Sequence, residues 1–193
     1  QMQEKIDACA RALIAYGVRA GDAVSLCVLA MPEAVYLLYA INKIGAIANM
    51  LVMNATEAEI HDKLAVTESK VVITVDLALE KIVQASKKTS VKHIIGVSLA
   101  ESMPCVIGTL YKWKSKIKQD NCILFSEFLK AGQGKKIDYQ EIKADAPAVI
   151  AYTGGTTGKA KGVLLSNRAA NAIAFQYKYA DKVLDFQNGE RFL

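Results

Sequence analysis

The sequence predicts an α/β protein with a helix-flanked, mostly parallel sheet, on three observations. Short apolar runs recur at 23–29, 71–75 and 92–97, and each is nearly continuous rather than alternating, the mark of strands covered on both faces. Helical periodicities fill the gaps between them. The joints are short and punctuated by Gly, Asp and Pro, as right-handed strand–helix–strand crossovers require.

The elements follow in order. Ile6, Ala10, Leu13 and Ile14 recur at helical spacing, and Gly17 supplies the stop. Gly21-Asp22 turns the chain into a strand from Ala23 to Leu29. Pro32 suits the first position of a helix running to about Ile44, Gly45 closes it, and Ala46 to Val52 reads as the next strand. Thr56 and Glu59 form a capping box that opens a helix to about Glu68. Val71 to Val75 is a third strand, Asp76 can cap a helix through Ala85, and Lys92 to Val97 is a fourth strand.

From Ser98 to Lys143 the pattern loosens and lysines accumulate, an irregular insertion with one short helix at Ser126 to Ala131. Pro147 to Thr153 reads as a strand, Gly162 to Leu165 as another, and Asn167 to about Tyr179 as a helix. The organisation is therefore strand–helix units over 1–97, an insertion over 98–146, and a strand–loop–strand–helix segment over 147–193.

Composition narrows the classes. With 52% hydrophobic and 22% charged residues in 193, the chain can bury a large core and is not of disordered composition. No apolar stretch reaches bilayer length, and no basic region followed by a long apolar run opens the chain; the widely spaced cysteines fit a reducing cytoplasm, the expected setting. Cys9, Cys27, Cys105 and Cys122 form no C-x-x-C pair, and Cys9 and Cys27 sit in apolar patterns as buried thiols. The two histidines, His61 and His93, read as structural, so a His/Cys metal site is not expected.

The net charge is +5, and Lys112, Lys114, Lys116 and Lys118 alternate with Tyr111, Trp113, Ser115 and Ile117. That alternation is the pattern of a half-buried edge strand with one lysine face. It also admits peripheral contact with an anionic membrane. No nucleic-acid motif accompanies it, and no nucleic-acid partner is expected.

The chemistry lies in Tyr152 to Val163, which holds four glycines, three threonines and two lysines in twelve residues. Glycines let backbone N–H groups turn inward around an anion, hydroxyls add neutral donors, and a lysine adds a point charge. A phosphate chain needs that combination; the alternative is a flexible hairpin turn carrying two solvated lysines. The loop is not of the common NTPase type. There a glycine lies five residues before the Gly-Lys pair and a hydroxyl follows the lysine, whereas here Thr153 and Ala160 hold those places.

The run Tyr152-Thr153-Gly154-Gly155-Thr156-Thr157-Gly158-Lys159-Ala160-Lys161-Gly162 resembles the signature loop of the adenylate-forming enzymes: acyl-CoA ligases, luciferases and adenylation domains. Ala160 stands where proline is commonest. The Gly-Gly and Ala-Lys-Gly variant is similar to that of bacterial long-chain fatty acyl-CoA ligases. Upstream, Gly17-Val18, Gly21-Asp22 and Val24 resemble the family's entry to its first strand. Met31-Pro32-Glu33 with Ala40, Lys43, Ile44, Gly45 and Ala46, and Glu59-Ile60 with Leu64, Ser69 and Val71 to Ile73, resemble the next units. Phe125 to Leu129 and Leu165 to Arg168 resemble later segments, with Asn167 where histidine is frequent.

The resemblance implies part of the large N-terminal domain of the adenylate-forming fold, an internal piece without the small C-terminal domain. It implies an AMP-forming acid–thiol ligase that activates a carboxylic acid, a fatty acid by the loop variant, as acyl-adenylate and passes it to CoA. ATP, Mg2+ and CoA would serve the parent protein, and the segment alone should be inactive. By resemblance, Thr153, Gly154, Gly155, Thr156, Thr157, Gly158, Lys161 and Gly162 bind the nucleotide, Lys161 and Thr156 act in catalysis, and Thr153 sits near magnesium. Lys159 would be solvated, and Tyr152 would pack beneath the loop. An aryl-CoA ligase, a peptide-synthetase adenylation domain, a non-catalytic nucleotide-binding module and a purely structural fragment remain the alternatives.

Overall fold

The computed structural model describes residues 1–99, 122–137, 141, 143–154 and 160–184. They build one seven-stranded sheet flanked by helices. The strands are β1 (Ala23–Cys27), β2 (Ile47–Met50), β3 (Val71–Val75), β4 (His93–Val97), β5 (Ile123–Leu124), β6 (Pro147–Thr153) and β7 (Lys161–Ser166). The helices are α1 (Met2–Ala15), α2 (Pro32–Lys43), α3 (Glu57–Thr67), α4 (Leu79–Ala85), α5 (Phe125–Ala131) and α6 (Asn167–Leu184). Strand order is β5-β4-β3-β1-β2-β6-β7, parallel throughout except for the β6–β7 hairpin.

The continuous apolar runs become the middle of the sheet. All five residues of β3 are buried, and β1 is buried from Val24 to Cys27. Helices α1, α2 and α5 pack together, while α3 packs on α4. On α1 the buried stripe is Ile6, Cys9, Ala10, Ala12 and Leu13; of the residues read at helical spacing, Ile6, Ala10 and Leu13 are buried and Ile14 is half-buried. Burying each large aliphatic side chain there contributes about 1.5–3 kcal/mol.

The helix ends follow the local chemistry. After α1, Gly17 takes φ +81°, Gly17 N–H donates to Ile14 O and Val18 N–H to Leu13 O, both at 3.0 Å. This left-handed ending satisfies the last carbonyls and would strain any residue with a Cβ. Gly45 repeats the device after α2 with φ +72°. At α3 the capping box is complete: Thr56 N–H donates to Glu59 Oε2 at 2.7 Å, and Glu59 N–H to Thr56 Oγ1 at 3.2 Å. Asp76 differs from the expectation. Its Oδ1 accepts from Leu77 N–H, a 3-10 turn spans Asp76–Ala78, and α4 begins only at Leu79.

The structure adds a strand to the region read as irregular. β5 pairs in parallel with β4 (Ile95 opposite Ile123, Gly96 opposite Leu124) and runs directly into α5. Two residues are too few for a periodic signal, so only tertiary pairing reveals it. The lysine-rich alternation at 111–118 and Cys105 lie outside the described residues. Cys9 and Cys27 are buried free thiols, and burial pushes Cys9 up to about 12. His61 Nδ1 donates to Ala85 O at 2.9 Å, and His93 meets the Tyr16 ring edge-on at 5.0 Å. Among the described residues, no helix is long and apolar enough to cross a membrane.

Lys43 Nζ donates to Asp7 Oδ1 at 2.5 Å and ties α2 to α1. That hydrogen bond, more than the charge, holds the Asp7 carboxyl below its ordinary value of 3.8. A depressed carboxyl contributes stability above the ordinary value and loses it as pH falls through the folded value. Asp7→Asn should therefore flatten the decline of stability as pH falls below the ordinary carboxyl value of 3.8, by at most about 1 kcal/mol. Equal slopes for both proteins over that range would rule the pair out as a contributor.

Candidate functional site

The hairpin β6–β7 delivers the glycine-rich loop. Pro147, with no N–H to donate, begins β6, a place in a ladder that tolerates proline. The antiparallel register runs from Val149 opposite Leu165 to Thr153 opposite Lys161, where the ladder ends. The glycine-rich loop therefore lies between two strands, and the next described helix, α6, begins only after β7.

Thr153, Gly154, Lys161 and Gly162 are exposed at the mouth of this hairpin. Thr153 Oγ1 donates to Lys161 O at 3.5 Å, the long limit of a hydrogen bond, so the hydroxyl is only weakly engaged. A Cβ on Gly154 would meet nothing within 4 Å, and its φ is not in the left-handed region. The protein's own packing thus places no demand on that glycine. Gly155, Thr156, Thr157, Gly158 and Lys159 lie outside the described residues.

Gly162 is different. It stands opposite Tyr152, and a Cβ there would lie 3.2 Å from both Ile150 Cγ2 and Tyr152 Cε1. The tyrosine ring covers the glycine, which compensates for the missing side chain on this edge strand. Lys63 Nζ sits 4.4 Å from the centroid of the same ring, a cation–π contact. Tyr152 is half-buried, its hydroxyl donates to Asn49 Oδ1 at 2.9 Å, and burial raises its phenol above the ordinary value of 10.0. Among the described residues its ring lies between Gly162 and the Lys63 ammonium, at the base of the hairpin mouth.

Beneath Tyr152 lies a polar network that sequence reasoning missed. Asn49 Nδ2 donates to Ser25 Oγ at 2.7 Å and to Thr67 Oγ1 at 3.3 Å. Ser25 Oγ donates to Ser69 Oγ at 2.8 Å, Ser69 lies 2.8 Å from Thr67 Oγ1, and Thr67 donates to Lys63 O at 2.8 Å. Ser25, Asn49 and Ser69 are fully buried, and each is hydrogen-bonded, as a polar group in a core must be. The available signal was a single polar residue inside each apolar strand, Ser25 in β1 and Asn49 in β2.

An open groove of about 960 Å³ runs between α3 and the hairpin, lined by Glu59, Lys63, Thr67, Tyr152, Ala160 and Gly162 among others. That volume is in the range of small-molecule sites. Among the described residues no three His, Cys, Asp or Glu side chains converge as a metal site. The donor set at the mouth, a hydroxyl and a lysine on exposed backbone, suits an anion rather than a bare cation.

Comparison with known proteins gives this geometry a family. The chain is 28% identical to acetyl-coenzyme A synthetase 1 of Pseudomonas aeruginosa, over 98% of the chain but 29% of the relative. It is 29% identical to 3-hydroxypropionyl-coenzyme A synthetase of Sulfurisphaera tokodaii, over 84% of the chain and 24% of the relative. The chain thus spans 24–29% of the length of these relatives. Among solved structures, acetoacetyl-CoA synthetase from Streptomyces lividans superposes with a TM-score of 0.72 at 20% identity, covering 99% of this chain and 28% of that one. The inhibitor-bound N-terminal domain of FACL13 from Mycobacterium tuberculosis gives 0.69 at 24% identity, covering 93% and 39%. These structures share the fold, that of the N-terminal domain of adenylate-forming enzymes. The family model described as "AMP-binding enzyme" matches residues 1–193, and the chain belongs to that family.

Proposed function

We propose that this chain is the phosphate-gripping part of an ATP-dependent, AMP-forming acyl-CoA ligase. The observation that carries the reading is the hairpin mouth: a hydroxyl and a lysine paired across two strands, with open space over Gly154, in a chain of the AMP-binding family. In this reaction class a carboxylate oxygen attacks the α-phosphorus of ATP and the bond to pyrophosphate breaks, leaving its electron pair on pyrophosphate. The thiolate of CoA then attacks the acyl carbon and AMP leaves. No general base is needed in the first step, because a carboxylic acid is already ionised at neutral pH.

The chain's contribution is positioning and charge neutralisation, since two anions must approach each other. Thr153 through Gly158 would wrap the β- and γ-phosphates, and Lys161 would offset their charge from the mouth. Thr153 supplies one neutral oxygen, which fits a single ligand of a magnesium ion carried by the nucleotide and not a resident metal site. Magnesium bound there would neutralise phosphate charge.

Two acid classes have support. The Gly-Gly and Ala-Lys-Gly form of the loop favours a fatty acid. The acetyl- and 3-hydroxypropionyl-coenzyme A synthetases among the relatives favour a short one. Pyrophosphate exchange by the full-length protein against acetate, 3-hydroxypropionate and a ladder of fatty acids separates them by the chain length giving the highest kcat/KM.

In the same assay Lys161→Ala and Thr156→Ala should each slow exchange about 10- to 100-fold, or about 1.4–2.7 kcal/mol of transition-state stabilisation, with unchanged circular dichroism. Exchange at the wild-type rate in both variants would remove the loop from the mechanism.

A further inference from the structure

We infer that Asn49 is a positioning residue for the phosphate loop, acting through the Tyr152 hydroxyl; the inference rests on the proposed function and extends it. The backbone ladder between β6 and the sheet is short. β2 meets β6 only at Ala48 opposite Val149 and Asn49 opposite Ile150. Beyond Ile150 the strand pairs with β7 alone, so Ala151, Tyr152 and Thr153 carry the loop on a hairpin that has left its inner neighbour. The 2.9 Å hydrogen bond from Tyr152 to Asn49 ties that hairpin end back to the sheet interior.

The direction of the bond is fixed by donor counting. Thr67 spends its one hydroxyl proton on Lys63 O, so Ser69 must donate to Thr67 and Ser25 to Ser69. Asn49 Nδ2 then donates to Ser25 and Thr67, which leaves Oδ1 facing Tyr152 as a pure acceptor. The phenol must donate and must stay protonated. The relay ends on the carbonyl of Lys63, whose ammonium rests over the same tyrosine ring. Tyr152 is therefore held at its hydroxyl, at its ring face and against Gly162, one residue before Thr153. Among the described residues at the mouth, the long 3.5 Å contact between Thr153 and Lys161 is the side-chain hydrogen bond that joins the two strands.

The test measures pyrophosphate exchange and binding of a non-hydrolysable ATP analogue on the full-length protein and three variants. Tyr152→Phe keeps the ring and removes the donor; Asn49→Ala removes the acceptor. Each should raise KM for ATP and Kd for the analogue about five- to tenfold, the scale of one net hydrogen bond, with KM for the acid unchanged. The double variant should be no worse than the single ones, because both break one contact. Thr74→Val removes another buried hydroxyl, bonded to Cys27 O in β1 and remote from Tyr152. It should lower the thermal midpoint and leave KM for ATP alone.

Wild-type KM and Kd in Tyr152→Phe would overturn the inference and leave the proposed function standing. So would an equal rise in Thr74→Val, which would make the effect general loosening. If Asn49→Ala fails to fold, Tyr152→Phe against Thr74→Val decides alone. A wild-type protein that exchanges no pyrophosphate with any acid and does not bind the analogue removes both readings.

Discussion

Phe128→Ala should lower the stability of this domain by about 3–5 kcal/mol, the range for emptying a large aromatic site in a core. Phe128 is fully buried. Its ring stacks on Phe125 with centroids 5.8 Å apart and lies 5.5 Å from Tyr16 at the end of α1. It thereby joins pieces distant in sequence: α1, the β5–α5 segment and the strand β4 against which α5 packs. Truncation loses the transfer energy of the ring and leaves a cavity that two further aromatics can fill only by moving. The measurement is the urea midpoint of the full-length protein, with amide exchange locating the change. A shift under about 1 kcal/mol would mean the site collapses without cost. Protection lost first in α5 and β5 is the expected local signature.

Gly132→Ala should act at the same junction by the opposite mechanism. A Cβ at Gly132 would lie 2.5 Å from Ala12 N and 2.8 Å from Ala12 Cα and Arg11 C. These are backbone atoms of α1, so no side chain can swing away. Gly132 has φ −79°, so the constraint is space and not backbone conformation. One methyl group must therefore push α5 off α1, at a cost of about 1–3 kcal/mol or more, as in other overpacked cores. A wild-type midpoint would show that the helices part freely. The pair of variants separates a lost filling from a forced separation. Both should weaken the α1–α5 contact while leaving the β6–β7 mouth unaltered.

The strands of the middle sheet were legible because burial on both faces writes a continuous apolar run, which composition alone distinguishes from a solvated edge. β3 falls on its expected residues, Val71 to Val75; β6, mostly half-buried beside the edge strand, also falls on its expected residues, Pro147 to Thr153. The helix starts at Pro32 and Thr56 and the stops at Gly17 and Gly45 were legible because capping is a matter of neighbours in the chain. β5 was not, because its two residues are a strand only through β4. α6 was placed, and its described residues run to Leu184, past the expected Tyr179, where nothing in the local sequence marks a stop.

The glycine-rich loop stood out by residue types, since its glycines, hydroxyls and lysines are the combination that the proposed phosphate grip needs. Its support did not. Asn49 and Tyr152 are 103 residues apart in the chain, and Ser25 and Ser69 are 44 apart. A lone serine or asparagine in an apolar strand reads as a flaw until its partner is brought beside it.

The chain alone determined its fold class and the element ends marked by Gly17, Pro32, Gly45 and Thr56, because propensity and capping are set by near neighbours. Only the tertiary structure decided the strand order β5-β4-β3-β1-β2-β6-β7, the early parting of β6 from β2, and the relay from Tyr152 through Asn49 to Lys63. Those depend on contacts between distant segments, where a buried polar group is tolerated only once folding has supplied its partner.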